Sequence, residues 1–592
     1  MNKKGFTMVE LIAIVIILAA MSLITFTAYN TIIKNTTISN EKDLVRNIIM
    51  EANVLYNDYV LKDKQEQLVN KNIFDLIKIE DKPSSGYLII NDYGNVAIAI
   101  LIDDRCYKKD YENNTINLLE TINCEDLESY KPLYKDIVLN GADPELDEGM
   151  IPVIIDDDGT LTKASLKEEW YNYSQKKWAN VVLVNETSRS KYKEADSGTQ
   201  IYASDVLAYF VWIPRYKYQI FNDVDNILTG QDYEKNTVEL INIVFQDKDA
   251  IKASGTKEGQ WLTHPAFTFG DKELNGIWVG KFETTGTAKQ PTILPNKTSL
   301  RNQNVSSQFK TSLLFANNTL NSDGSITHSN NTTYGINNTD SHMMKNMEWG
   351  AVAYLTTSKY GQGTTEVRIN NSSKYITGCA ATTPAINFGY PEYPSQTNGS
   401  EGAYSGCENM YNTQIGILAS TTGNITGVYD MAGGSSEYVM GVLEDSLDSN
   451  IPTSGKSNTY NSGFTGNFVC VKCDNSNETI SSTIGTTFPN NKYYDLYDYG
   501  TSAINEVAYK RSKLGDSIVE LGSFTHYTSS VDNTIRYYSN WHKDRATLVY
   551  PTLPWFIRGM TWNDGANSGI YSSYIGHGAA LGYISFRTVL VK

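Results

Sequence analysis

Proline is absent from the first 82 residues of this 592-residue chain. Nothing there interrupts a helix by removing a backbone donor. Basic residues are outnumbered by acidic ones, 50 to 66, giving a formal net charge of −16. No basic run offsets that deficit, which excludes nucleic acid as a partner. Histidine occurs six times, scattered, and His264, His342, His542 and His577 show neither metal-ligand nor triad spacing. No repeat of about 20–50 residues is visible. Cysteine is equally sparse: Cys106 with Cys124, Cys379 with Cys407 and Cys470 with Cys473 fall in sequence pairs. Outside the membrane such pairs read as disulfides. Cys470-Val-Lys-Cys473 also fits half a zinc site, but no second C-x-x-C completes it. No metal or cofactor is expected.

One long apolar run stands out. From Phe6 to Phe26 the sole charge is Glu10. At 1.5 Å per residue the run reaches roughly 30 Å, enough to span a bilayer. A carboxylate inside such a segment costs about 2.5–3.5 kcal/mol on insertion scales, so it is a functional hypothesis by default. Lys3 and Lys4 place the short N-terminal side in the cytoplasm.

Gly5-Phe6-Thr7-Met8-Val9-Glu10 and the run Leu11–Ala20 resemble the prepilin signal of type IV pilins and type II secretion pseudopilins. The resemblance implies cleavage by a prepilin peptidase after Gly5, N-methylation of Phe6, and an assembly role for Glu10 towards other pilin subunits. The freed α-ammonium is a natural counter-charge for Glu10 of a neighbour, since an unpaired buried carboxylate is costly. A secretory signal would be cut after the apolar run, where Ala19-Ala20-Met21 is a poor site. An ordinary signal anchor with a stray glutamate is the other alternative.

Leu44, Ile48, Ala52, Leu55 and Tyr59 recur at helical spacing, which predicts an amphipathic continuation of the helix. The alternating runs 86–90 and 95–102 predict strands beneath it. Helix on antiparallel sheet is the plan the pilin resemblance implies. From Asn140 the character changes to short aromatic segments punctuated by Gly and Asn, with turn signals across 220–260. Aromatic clusters such as Glu169–Tyr173, Trp178–Leu183 and Phe210–Tyr216 read first as core, because Trp and Tyr bury large apolar areas.

Gly276–Thr284, Asn346–Ala353, Gly427–Tyr438 and the closing pair Arg558–Trp562 and Ser585–Arg587 are similar to the formylglycine-generating-enzyme (sulfatase-modifying-factor) family, which has a C-type-lectin-like fold. Glu348, Trp349 and Ala353 stand at matching places in the second island, and Asp430, Met431, Ala432, Gly433 and Glu437 in the third. Gly434 and Ser436 depart from the family's usual Asn and Trp. The family's enzymes keep a cysteine pair between the last two elements, and here no cysteine lies between Arg558 and Arg587. Formylglycine generation is therefore rejected. Ser435 does not sit in a nucleophile elbow, so no enzyme is expected.

That window instead alternates aromatic, amide and small polar residues, the chemistry of paratopes. It resembles the ligand surface of C-type-lectin-like variable proteins. The expected contact residues are Asn563, Asp564, Asn567, Tyr571, Tyr574 and His577, exposed on one face of irregular structure, with an extracellular glycan or protein as partner. An ordinary Asn-rich surface loop is the alternative.

The expected organisation is a leader at 1–5, a transmembrane and assembly helix at 6–30, and a pilin-like domain at 31–138. The N-terminal part of a large module follows at 139–260, then a formylglycine-generating-enzyme-like domain at 261–592. The fold class is α+β: a long N-terminal helix with a small antiparallel sheet, then a large C-type-lectin-like domain rich in irregular structure. The expected function is a minor pilin-like subunit for adhesion or ligand binding. It would sit in the cell membrane before assembly and on a surface filament afterwards. A tip or pseudopilus subunit that initiates assembly is the alternative, and a surface hydrolase a third.

Overall fold

The computed structural model describes residues 8–62, 64, 67–68, 71–91, 95–111, 116–119, 127, 140–220, 238–256, 260–384, 406–443, 462–464, 468–472, 479–482, 488–497, 514–521, 537–547, 549 and 553–592. The chain is α+β and divides into two compact units, 1–139 and 140–592.

In the first unit, α1 (Met8–Leu61) precedes four strands, β1 (Ser85–Ile90), β2 (Val96–Ile102), β3 (Arg105–Lys109) and β4 (Asn117–Leu119). The strands form an antiparallel meander in chain order. Ile48 and Ala52 of the apolar stripe are fully buried against Leu88, Ile90, Val96, Ile98 and Ile100, and Leu44, Leu55 and Tyr59 pack at the margin. The β1–β2 turn is closed by Asn91, whose Oδ1 accepts from Asn95 N at 2.9 Å. Asp103, at φ 52°, supplies the left-handed residue of the tight β2–β3 turn. A polar clasp adds to this packing. Glu41 of α1 accepts from Arg105 Nε at 2.7 Å, from a second guanidinium nitrogen and from the Tyr107 hydroxyl. The Arg105 bond holds the Glu41 carboxyl below its ordinary pKa.

Among the described residues no helix is long and apolar enough to cross a membrane. Gly5 and Phe6 lie outside the described residues, as does the side chain of Glu10, and the span expected at 6–30 falls largely on such side chains.

The second unit is built on two sheets. An eight-stranded antiparallel sheet runs, edge to edge, through Asp340–Met343, Thr588–Val591, Gly276–Gly280, Val206–Pro214, Asn180–Val184, Met150–Ile155, Leu161–Lys163 and Gln200–Ile201. Its central strands are apolar on both faces, as strands covered on both sides must be. Trp278 lies opposite Trp212 in the register, with ring centroids 5.1 Å apart. This sheet takes strands from both sides of residue 260, so the fold has no seam there. A seven-stranded mixed sheet follows, with Ser436–Leu443 at its centre. That strand pairs antiparallel with Trp555–Arg558 and parallel with both Asp495–Tyr497 and Ile584–Phe586.

Candidate functional site

The four sequence islands of the second unit converge on one buried polar network. Glu437 stands opposite Arg558 on one neighbouring strand and Ser585 on the other. Arg587, two residues beyond Ser585, turns its guanidinium back onto Glu437: Nη2 donates to Oε1 at 2.6 Å and Nε to Oε2 at 3.2 Å. Two further donors go to Gly280 O at 2.8 Å and Tyr429 O at 2.9 Å. Arg587 and Glu437 are both fully buried. Burial, opposed by Arg587, pushes the Glu437 carboxyl up to about 7.

Asp430 adopts φ 59°, a left-handed conformation that turns its carboxylate inward. Its Oδ1 accepts from Asn370 Nδ2 at 2.8 Å and Gly378 N at 2.9 Å. Gly433 follows at φ 73°, where a Cβ would lie 2.3 Å from Ile369 Cγ2. A side chain is excluded there both by conformation and by space. Glu283 receives Ser435 N at 2.9 Å. Burial, then Asp430 and Glu437, raise the Glu283 carboxyl well above its usual range. Ser435 Oγ lies 2.8 Å from Ser299 Oγ and is fully buried.

The Asn346–Thr356 helix is buried along its whole length. Glu348 closes its first turn by accepting from Lys345 N at 2.8 Å, and it faces His342 Nε2 at 3.0 Å. Burial opposes ionisation, yet His342 and Lys345 hold this carboxyl below its ordinary value. Trp349 Nε1 donates to Ile570 O at 2.8 Å, and the Arg558 guanidinium lies 5.7 Å from its ring centroid. The islands are thus internal clamps. Apart from Trp562, which is part-exposed, they are buried and hold the window between them.

Within that window the expected residues separate. Asn563 is exposed, and Asp564, Asn567, Tyr574 and His577 are part-exposed. Asp564 spends Oδ2 on its own turn, accepting from Thr561 N at 2.8 Å and Thr561 Oγ1 at 2.5 Å. Asn563 Oδ1 also accepts from Thr561 Oγ1. Asn567 ends the short Gly565–Asn567 turn. Tyr574 sits on the Ser573–Gly576 strand, where alternation points it outward between buried Ser573 and Ile575. The Arg545 guanidinium covers its ring at 4.2 Å.

Tyr571 corrects the expectation. It is fully buried, and its hydroxyl donates to Thr357 Oγ1 at 2.5 Å and lies 3.1 Å from Ala353 O. The ring packs edge-on to Trp541 at 5.7 Å. A phenol that finds acceptors at a helix end is stable in a core, so Tyr571 belongs to the support and not to the surface. The window is also less irregular than expected, because 573–576 is sheet.

Residues distant in sequence join this face. Arg301 stacks its guanidinium 3.8 Å over the Tyr375 ring and donates to Gly582 O. Tyr375, at φ 55°, meets Trp562 edge-on at 6.5 Å. Tyr583 is 45 % exposed. Its phenol is raised by burial, then by Tyr574, Asp564 and Tyr375, which places those groups together. Nothing local in the sequence marks Arg301, Tyr375, Arg545 or Tyr583, since only the fold assembles them.

Cys379 and Cys407 form a disulfide with Cα atoms 5.4 Å apart. Cys106 is disulfide-bonded, whereas Cys124 and Cys473 lie outside the described residues, as does the Cys470 side chain. Among the described residues no group of three or more His, Cys, Asp or Glu is placed to hold a metal ion. No protein-family model matches the chain, and a search of curated proteins finds no match.

Proposed function

We propose that the chain is a minor, type IV pilin-like subunit whose second unit is a C-type-lectin-like domain that binds an extracellular glycan or protein. One observation carries the reading. A helix that begins within the Gly5-Phe6…Glu10 run packs its apolar stripe on a four-stranded antiparallel meander, and the two form a unit of their own. In this reading Glu10 pairs with the N-terminal amine of a neighbouring subunit during assembly. The 453 residues from 140 to 592 would crowd a fibre if carried at every position, which favours sparse incorporation. The same bulk suits a tip or pseudopilus subunit that starts a filament, the second reading.

For the ligand, the face around Trp562, Asn563, Tyr574 and Tyr583 offers rigid aromatic area beside adaptable amides. With no thiol between Arg558 and Arg587, the role is binding rather than catalysis.

N-terminal mass spectrometry of membrane and filament fractions tests the reading. A mature N-terminus at methylated Phe6 is expected, with Glu10→Ala inserted in the membrane but depleted from filaments. An unprocessed Met1, a start near Met21, or wild-type incorporation of Glu10→Ala would overturn it.

A further inference from the structure

The face around Trp562 has a one-sided need for hydrogen-bond partners. Arg301 stacks its guanidinium 3.8 Å over the Tyr375 ring and is tied through Nη1 to Gly582 O. Tyr375 in turn meets Trp562 edge-on. One ring thus has the guanidinium and the indole as neighbours, close enough for a disaccharide to reach both. Among the described residues no carboxylate forms an ion pair with Arg301, and no acceptor meets its Nη2. Its Nε is covered and bonds nothing in the protein, and Trp562 Nε1 is a second covered donor without a partner. In a chain with 66 acidic residues, this arginine is held in a fixed plane with its charge unanswered.

The neighbouring acceptors are spent internally. Leu581 O accepts from Asn302 N at 3.0 Å and Ile584 N at 3.3 Å, Gly582 O from Arg301, and Tyr583 O from Ser436 N at 3.1 Å. Asn563 Oδ1 and Asp564 Oδ2 are taken up by Thr561. A docking peptide would bring backbone N–H groups that find none of these carbonyls free, and peptide addition depends on such bonds. The unmet need is for acceptors, and it lies beside a cation. A carboxylate supplies two oxygens in the plane that a guanidinium matches. Trp562 is part-exposed and Tyr583 is 45 % exposed. Such rings take the apolar C–H face of a sugar while its hydroxyls stay in water. The approach is open, since a Cβ at Gly582 would meet nothing within 4 Å.

We propose that this face binds an acidic saccharide, with the sugar ring against Trp562 and the carboxylate on Arg301. This rests on the face being the ligand surface, and it narrows the ligand from any extracellular glycan or protein to a carboxylated glycan.

Binding of the full-length protein to an array of neutral, carboxylated and carboxyl-reduced glycans tests it, with acidic peptides alongside. Carboxylated glycans should be retained and their carboxyl-reduced counterparts should not. Retention should weaken as salt is raised, because an exposed ion pair is screened. Arg301→Gln should lose about tenfold or more in affinity, the worth of a charge-assisted hydrogen bond, and Arg301→Lys should recover part of it. Arg301 is the decisive position because it lies at the surface, so the thermal midpoint of Arg301→Gln should barely move. Equal retention of neutral glycans, still lost in Trp562→Ala, would overturn the acidic class and leave the face a ligand surface. Glycan retention that survives both Trp562→Ala and Arg301→Gln would overturn the face as well. Wild-type affinity of Arg301→Gln for carboxylated glycans, capture of acidic peptides in place of glycans, or retention of no glycan at all would overturn the proposal.

Discussion

Removing the carboxylate of Glu437 should be among the most damaging single changes in the second unit. Glu437→Ala leaves Arg587 with its two carbonyl partners, Gly280 O and Tyr429 O, but without the carboxylate that is hydrogen-bonded to it. Breaking a fully buried pair in this way costs about 3–5 kcal/mol, a large share of the roughly 5–15 kcal/mol that holds a typical domain. All nine tryptophans lie at or beyond residue 170, so tryptophan fluorescence reports the second unit alone. With a urea m-value of about 3 kcal/mol/M, a loss of about 4 kcal/mol moves the midpoint by ~1.3 M. The measurement belongs at pH 8, above the Glu437 pKa of about 7, where the pair is ionised. The double change Glu437→Leu with Arg587→Met should recover part of the loss, since replacing both charges by apolar groups is often neutral. Recovery should stop short by about 1–3 kcal/mol for each of the two carbonyls left unsatisfied. A midpoint shift under ~0.3 M for Glu437→Ala, or a double variant as unstable as the sum of the singles, would refute the assignment of this pair as the clamp.

Replacing Cys379 and Cys407 by serine opens a loop of sequence separation 28; loop-closure entropy puts the cost at about 3–4 kcal/mol, read from the same urea curve without reductant. Glu520 is buried, accepts from Tyr218 and Tyr354, and is pushed up to about 7 chiefly by burial. A raised folded-state pKa favours the protonated form. Its contribution is therefore fully present below about pH 4.5 and is lost as pH rises through about 7. Stability of wild type should thus decline between pH 5 and pH 8, and Glu520→Gln should flatten part of that slope; an unchanged slope would count against it.

Local periodicity made the first unit legible. Leu44, Ile48, Ala52, Leu55 and Tyr59 keep helical spacing because one face is covered, and the runs 86–90 and 95–102 coincide with β1 and β2 for the same reason. In the second unit, motif residues such as Asp430, Glu437 and Arg587 could be picked out, but their role as an internal clamp could not. It depends on strand neighbours about 150 residues apart. Tyr571 misled because a tyrosine among serines and glycines carries the composition of a surface loop. Only the fold brings Thr357 and Ala353 to its hydroxyl. Arg301, Tyr375 and Tyr583 were invisible for the same reason: no pattern in sequence links them, and a left-handed tyrosine at 375 has no local signature.

The Thr588–Val591 strand has a consequence for how the second unit comes into being. It lies between Gly276–Gly280 and Asp340–Met343, pairing with both. Until residues 588–591 have been made, these two strands have no neighbour in common, and the sheet holds a vacant slot one strand wide. Closure awaits a partner some 250–310 residues further along, and contacts so distant form slowly. While it waits, a chain emerging N-terminus first exposes two unpaired strand edges, the kind of surface that captures foreign strands. The last segment acts as a bolt, and a chain stopped before it should accept a free peptide of residues 584–592 in its place.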